Sequence, residues 1–125
     1  MRLMKERTSL NVVNDQLGSP TYAIDLAAFI LSVIGRANAG AENWVPGIYH
    51  FSNTGIISWY DFALAIKKNT NSACEVHPVP TTQFPTPAKR PAYSVMDKSK
   101  IQQVYHIVPA DWQASLATCI QHLQQ

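Results

Sequence analysis

A helix predicted over residues 21–38 limits most strongly what this chain can fold into. Apolar side chains cover nearly its whole circumference: Ile24, Ala27, Ala28, Leu31 and Ile34 share one face, and Leu26, Phe29, Ile30 and Val33 fill much of the rest. A helix of this kind is buried on most sides in a folded protein. Because 125 residues offer little material to cover it, the pattern predicts that the helix packs against structure absent from this chain.

Strand and helix patterns alternate along the chain. Segments 10–13, 47–52 and 74–79 are predicted as strands, the second of them buried and the third at a sheet edge. Further helices are predicted in the opening residues, from a capping-box-like start at Ser58 to about Thr70, after a cap at Asp97, and from about Pro109. This order predicts an α/β fold with helices around a small mixed sheet, in one domain over residues 1–125.

Two features interrupt these patterns. Five of the eight prolines lie in segment 78–91, which is therefore predicted to be an ordered or semi-ordered loop rather than a strand or helix. The opening residues 1–7 resemble the end of a helix with no capping residue ahead of them. We therefore expect the chain to be a fragment, or to begin at a late start codon.

Charge and cysteine usage exclude several classes of protein. The net charge is only +2 and the ten basic residues are scattered, so no nucleic-acid-binding arm is expected. Cys74 and Cys119 are distant and lack a C-x-x-C spacing, which favours a reduced pair. Residues 1–10 lack a signal-peptide core, and the apolar stretch 23–34 contains Asp25 and is too short to span a bilayer. These observations predict a soluble cytoplasmic protein.

Motifs for catalysis and cofactor binding are absent from the sequence. The five glycines form no phosphate-binding loop, and no tyrosine has a lysine four residues later. No G-x-S-x-G elbow occurs, and the four histidines lack a metal-ligand spacing. The sequence therefore predicts no catalytic residue, no cofactor-binding residue and no metal ligand.

Two polar segments remain as candidate binding sites. Asp15, Gln16, Ser19 and Thr21 precede the predicted helix, whose N-terminus would attract a phosphate or a sugar hydroxyl. The alternative is that Ser19 or Thr21 caps the helix and that Asp15 stabilises the turn. Arg90, in the proline-rich loop, could bind a phosphate through its planar fork or could simply be solvated.

Trp59 stands at the start of a predicted helix. Its indole could stack on a base or a sugar, whereas packing in the core or against the helix start is the alternative.

Several blocks together resemble one enzyme family. Residues 12–21 (Val-Val-Asn-Asp-Gln-Leu-Gly-Ser-Pro-Thr), followed by Asp-Leu-Ala at 25–27, are similar to the D-Q-x-G-x-P-T-x-x-x-D-L-A block of dTDP-4-dehydrorhamnose reductases, which are extended short-chain dehydrogenases. The similarity continues in 47–52, 58–63, 85–94, 97–100 and 111–112, in the same order and over nearly all 125 residues.

The resemblance implies a C-terminal substrate-binding portion whose Rossmann core is missing. The full-length enzymes of this family reduce dTDP-4-dehydro-L-rhamnose with NADPH, and their cofactor loop and catalytic Thr, Tyr and Lys lie in the other domain. A dTDP-sugar-binding role carries over to Asp15, Gln16, Ser19, Thr21 and Arg90. Some relatives dimerise through Mg²⁺ held by an acidic residue on the last helix; because no Asp or Glu follows Asp111, that metal is not expected here.

The resemblance also leaves alternatives open. A relative serves as a regulatory subunit of methionine adenosyltransferase, so a non-catalytic interaction module on the same scaffold is possible, as is a remnant without function. In every case the apolar helix and the segment at Gly47 are expected to expose surface that the Rossmann domain would cover. A homo-oligomer is therefore predicted.

Overall fold

The computed structural model describes residues 1–125 and has the predicted α/β character. Its strands are β1 (Ser9–Val13), β2 (Leu17–Gly18), β3 (Ile57–Ser58) and β4 (Glu75–Val79). Its helices are α1 (Arg2–Glu6), α2 (Ala23–Ala39), α3 (Trp59–Thr70), α4 (Ser99–Tyr105) and α5 (Trp112–His122). Short 3-10 turns cover Ala41–Asn43 and Thr81–Gln83.

The strands form two separate two-stranded sheets. Strands β1 and β4 are parallel, with Ser9 opposite Glu75 and Val13 opposite Val79. The short strands β2 and β3 are antiparallel, with Leu17 opposite Ser58. Parallel strands need a long crossover connection, and helix α3 in that connection packs against β1, β4 and α5.

The core lies between α3 and α5. Trp112, Leu116 and Ile120 on α5 are buried, and partly buried residues including Phe62 pack against them. The ring centroids of Phe62 and Trp112 are 6.1 Å apart. A second group surrounds Tyr105, which is almost completely buried and has the rings of Phe29 and Tyr49 as neighbours. The buried apolar residues of α5 recur at i, i+4 and i+8 and therefore share one face of the helix, whereas Leu123 just beyond its end is 68% exposed.

The predicted strand at 47–52 is wrong. No residue of this segment belongs to a strand, and Ile48 is 81% exposed. The segment is linked to its surroundings by side chains instead: Phe51 stacks on Phe29 at 5.1 Å, and Lys100 Nζ donates a hydrogen bond to the Ile48 carbonyl. β-branched and aromatic residues favour strands only where a neighbouring strand completes the hydrogen-bond ladder, and here none does.

Helix starts were predicted with mixed success. The Ser58 capping box is confirmed, because the Ser58 hydroxyl accepts from the Asp61 amide and the Asp61 carboxylate accepts from the Ser58 amide. The prediction that Ser19 or Thr21 caps α2 is wrong, since the cap position is Tyr22 and its amide donates to the side-chain oxygen of the distant Asn53. The last helix starts at Trp112 and is capped by Asp111, rather than starting near Pro109.

Helix α2 leaves a broad apolar surface uncovered. None of its residues is buried, and its exposed large side chains are Ile24, Ile30, Leu31 and Ile34. The expectation that this chain cannot cover the helix is therefore confirmed. No helix of the structure combines the length and the apolar character that crossing a membrane requires.

Candidate functional site

Two adjoining cavities lie where the β2–β3 pair meets the start of α3 and the proline-rich loop. Their volumes are about 280 and 270 Å³. Gln16, Trp59 and Arg90 line both of them. The first is otherwise lined by Leu17, Gly18, Ser19, Pro20, Ile57, Ser58, Phe62, Pro91 and Ser94. The second is otherwise lined by Asn11, Val12, Val13, Phe84 and Thr86.

The α3 capping box positions the aromatic wall of both cavities. Ser58 ends β3 and also caps α3, so Trp59 is the first residue of the helix. Its side chain is 53% exposed rather than packed in the core. The exposed indole offers a flat face on which a planar ring can stack, and this geometry favours the stacking interpretation over the packing alternative.

Three of the five predicted site residues lie together at the cavities. Gln16 is buried, and its side-chain amide donates a hydrogen bond of 3.0 Å to the Thr81 hydroxyl. The Ser19 hydroxyl donates to the Gly55 carbonyl at 2.6 Å, which leaves its oxygen lone pairs available as acceptors. The ion pairs of the chain join Arg2 to Glu6 and His77 to Glu75, so the Arg90 guanidinium is free to bind an anion.

Asp15 and Thr21 do not line either cavity. The Asp15 carboxylate accepts hydrogen bonds from both the hydroxyl and the amide of Thr81. The hydroxyl bond, and then the amide bond, lower the pKa of the Asp15 carboxyl below its ordinary value of 3.8. The contact is therefore retained above about pH 4 and weakens only as the pH falls further, when the carboxylate takes up a proton.

Several cavity residues were missed by sequence reasoning. Phe84 and Leu17 are exposed apolar residues of the cavity walls, and Ser94 supplies a further hydroxyl. Phe84 lies within the proline-rich loop, and an aromatic residue in such a loop is the only local signal that could have indicated it.

The N-termini of α2 and α3 lack the glycine-rich turn that binds the pyrophosphate of a nicotinamide dinucleotide. At α2, the Tyr22 amide already donates to Asn53, and Asp25 lies in the first turn. At α3, the capping box occupies the Ser58 and Asp61 amides. No group of three or more His, Cys, Asp or Glu side chains could together hold a metal ion such as Mg²⁺.

Comparisons with known proteins agree on one family. The model of the RmlD substrate binding domain family matches residues 1–125. The dTDP-4-dehydrorhamnose reductase of Aggregatibacter actinomycetemcomitans is 43% identical over 122 residues, covering 93% of this chain and 41% of that protein.

Two solved structures are also similar. The crystal structure of a Clostridium acetobutylicum dTDP-4-dehydrorhamnose reductase matches with a TM-score of 0.88 and 39% identity, over 99% of this chain and 42% of that one. The Bacillus anthracis enzyme, solved in complex with NADP, matches with a TM-score of 0.81 and 37% identity, over 93% of this chain and 38% of that one. The chain thus spans about two fifths of the length of these relatives.

Proposed function

This chain belongs to the RmlD substrate-binding domain family, and from that premise we propose that it supplies the sugar-nucleotide-binding surface of a dTDP-4-dehydrorhamnose reductase. Residues 1–125 act as one substrate-binding unit. The full-length enzyme reduces dTDP-4-dehydro-L-rhamnose to dTDP-L-rhamnose. Family membership supports this role, and the two adjoining cavities are the observation that carries it to particular residues.

The walls of the cavities combine the three chemistries that a sugar nucleotide requires. The free Arg90 guanidinium binds the diphosphate, because its planar fork matches two phosphate oxygens at once. The exposed Trp59 indole stacks against the thymine base. Gln16 and Ser19 contact sugar hydroxyls. At about 280 and 270 Å³, each cavity is slightly smaller than typical small-molecule sites, which measure roughly 300–1,000 Å³, and both have the mixed lining of such sites.

These residues bind and orient the substrate but transfer neither hydride nor proton. NADPH supplies the hydride when it is bound to the nucleotide-binding part of the full-length enzyme. The proposal is supported by the sequence, which has neither a glycine-rich turn before α2 or α3 nor a Tyr-x-x-x-Lys pair. We therefore propose that the isolated chain is inactive as a reductase, and clear NADPH oxidation by it would contradict this part of the proposal.

Arg90→Ala is expected to weaken dTDP binding about tenfold or more, because a charge-assisted hydrogen bond to a phosphate contributes roughly 1.5–3 kcal/mol. Calorimetric titration of the purified chain with dTDP and dTDP-rhamnose measures the effect, and NADPH serves as the negative control ligand. Arg90→Lys keeps the charge without the fork and should give an intermediate loss.

Lys89→Ala is the matched control for the Arg90 experiment. Lys89 is exposed in the same loop and lines neither cavity, so this variant removes the same charge beside the site and should bind dTDP nearly as the unaltered chain does. Equal losses at Lys89 and Arg90 would indicate non-specific electrostatics. Binding of NADPH but not of dTDP would overturn the proposed function.

The apolar face of α2 is expected to make the isolated chain associate with itself. We propose that the remainder of the reductase covers this face in the full-length enzyme and that a second copy covers it in the isolated chain. Leu31 is 67% exposed near the middle of the helix, and Ile24 lies two turns earlier on the same side. Light scattering at increasing concentration should therefore detect dimers or larger species, and Leu31→Glu should shift the population to monomers.

The control for the association experiment is Gln103→Glu, which adds the same negative charge at an exposed position on α4. It should leave the oligomeric state unchanged. A strictly monomeric unaltered chain at high concentration would contradict the homo-oligomer prediction.

A further inference from the structure

The loop that carries Arg90 is anchored at both ends by one short segment, residues 15–17. At its start, Thr81 donates hydrogen bonds to the Asp15 carboxylate and accepts one from the Gln16 side-chain amide. At its end, the Leu17 amide donates to the Ala92 carbonyl at 2.8 Å, and the Ser94 amide donates to the Leu17 carbonyl at 2.9 Å. The loop thus begins and ends on a segment whose residues Gln16 and Leu17 also line the cavities.

The two anchors differ in chemistry. The Leu17 anchor uses backbone groups, which any sequence could supply. The Thr81 anchor depends on side chains: the Thr81 hydroxyl donates to Asp15 and accepts from Gln16, so it uses both its donor and an acceptor position. A serine or threonine hydroxyl can make this pair of contacts, whereas valine and alanine cannot.

The Thr81 anchor is connected to the cavity wall through the backbone. The Thr81 carbonyl accepts a hydrogen bond of 3.0 Å from the Phe84 amide and closes the 3-10 turn Thr81–Gln83. Phe84 lines the second cavity, and Thr86 and Arg90 follow on the same loop. Residues 82–91 are all exposed, so no burial in the core fixes this part of the loop.

We propose that Asp15 and Thr81 are positioning residues, which hold the loop so that Phe84 and Arg90 face the ligand, and that Asp15 does not contact the ligand itself. The inference deepens the proposed function and rests on it for the identity of the ligand. The carboxylate of Asp15 already receives two donors from Thr81, and a phosphate beside it would be repelled. Fixing the loop before binding removes the entropy cost that a ligand would otherwise meet in ordering it.

Thr81→Val tests the anchor with almost no change of shape. It removes the hydroxyl contacts to Asp15 and Gln16 and keeps the β-branched side chain. Trypsin cleavage after Lys89 in the free chain reports on the loop without any ligand. The cleavage rate should rise about tenfold, because the loss of two hydrogen bonds raises the population of the open, cleavable loop by roughly that factor. Affinity for dTDP should fall by a similar factor.

Thr81→Ser restores the hydroxyl and should return both measurements to nearly their original values. Asp15→Ala should reproduce the Thr81→Val result from the other side of the contact. Thr118→Val is the matched control, because it removes an exposed hydroxyl that bonds only within α5, to the Ala114 carbonyl. Urea unfolding of each variant separates loosening of the loop from loss of the whole fold.

The outcomes of the two assays are separable. An unchanged cleavage rate in Thr81→Val and Asp15→Ala would overturn the positioning role, whatever the ligand. Faster cleavage with unchanged dTDP affinity would overturn the link between loop order and binding. If the unaltered chain does not bind dTDP, the proposed function fails, and the cleavage assay still decides whether Asp15 and Thr81 hold the loop.

Discussion

Gly55→Ala is expected to destabilise the fold by about 3 kcal/mol or more, since backbone strain and overpacking each cost roughly 1–3 kcal/mol. Gly55 has a φ of +110°, a conformation that residues with a Cβ rarely adopt. An added methyl group would also overlap with Cδ1 of the Trp112 indole. Trp112 is buried in the α3–α5 core and cannot move aside without disturbing Phe62. Thermal unfolding should show a midpoint lower by roughly 10 °C.

Gly35→Ala provides a matched control for this experiment. Gly35 lies inside α2, and nothing stands within 4 Å of an added Cβ. Because alanine is the better helix former, this variant should gain about 0.5–1 kcal/mol. The same chemical change should therefore have opposite signs at the two positions. Equal stability of the Gly55→Ala variant and the unaltered chain would show that the turn at Gly55 relaxes easily.

The Gly55 prediction also concerns the candidate site. The Gly55 carbonyl accepts the hydrogen bond of the Ser19 hydroxyl, so a shift of this turn would move a residue of the cavity wall. A Gly55→Ala chain that still folds at low temperature should therefore bind dTDP more weakly than the unaltered chain.

The features that could be predicted from the sequence are those whose partners are close along the chain. The Ser58 capping box needs only Asp61, three residues later, and it was predicted correctly. The apolar stripe of α5 follows from helical periodicity. Gln16, Ser19 and Arg90 carried polar groups that loops typically present to ligands, and the structure places all three at the cavities.

The features that failed depend on partners far along the chain. The segment 47–52 has the composition of a strand, but no other strand pairs with it. The amide of Tyr22, at the cap position of α2, donates to the side chain of Asn53, which lies 31 residues later in the chain. The partner of the Asp15 carboxylate is Thr81, 66 residues away, and nothing local indicated this pairing. Local propensity does not encode these pairings, which arise only when the elements pack together.

Asn53→Asp is expected to cost about 4 kcal/mol at neutral pH, since an uncompensated buried charge typically costs roughly 3–5 kcal/mol. Asn53 is 1% exposed, and its side-chain amide donates to Asp25, to the Ala110 carbonyl at 3.2 Å and to the Ser115 hydroxyl at 2.9 Å. Its oxygen accepts from the Tyr22 amide at 2.8 Å. The substitution keeps the shape of the side chain, but it replaces a donor group that faces three acceptors with a second carboxylate beside Asp25.

The pH dependence distinguishes charge repulsion from simple loss of hydrogen bonds. Burial beside Asp25 favours the protonated form of the new carboxyl group. Its protonation in the folded state removes the repulsion, so the stability deficit should shrink as the pH falls from 7 toward about 5. Urea unfolding at both pH values measures the deficit. The control is Asn38→Asp, an exposed change on α2, whose free energy of unfolding should stay within about 0.5 kcal/mol of that of the unaltered chain at each pH.

The same polar group joins three parts of the chain that are distant in sequence. Asn53 bonds to Tyr22 and Asp25 at the start of α2 and to Ser115 on α5. The turn that follows Asn53 contains Gly55, whose carbonyl accepts a hydrogen bond from the Ser19 hydroxyl. Loss of Asn53 should therefore separate α2 from α5 and weaken dTDP binding together with stability. A deficit that does not change with pH would show that loss of the hydrogen bonds donated by Asn53, rather than charge repulsion, destabilises the Asn53→Asp variant.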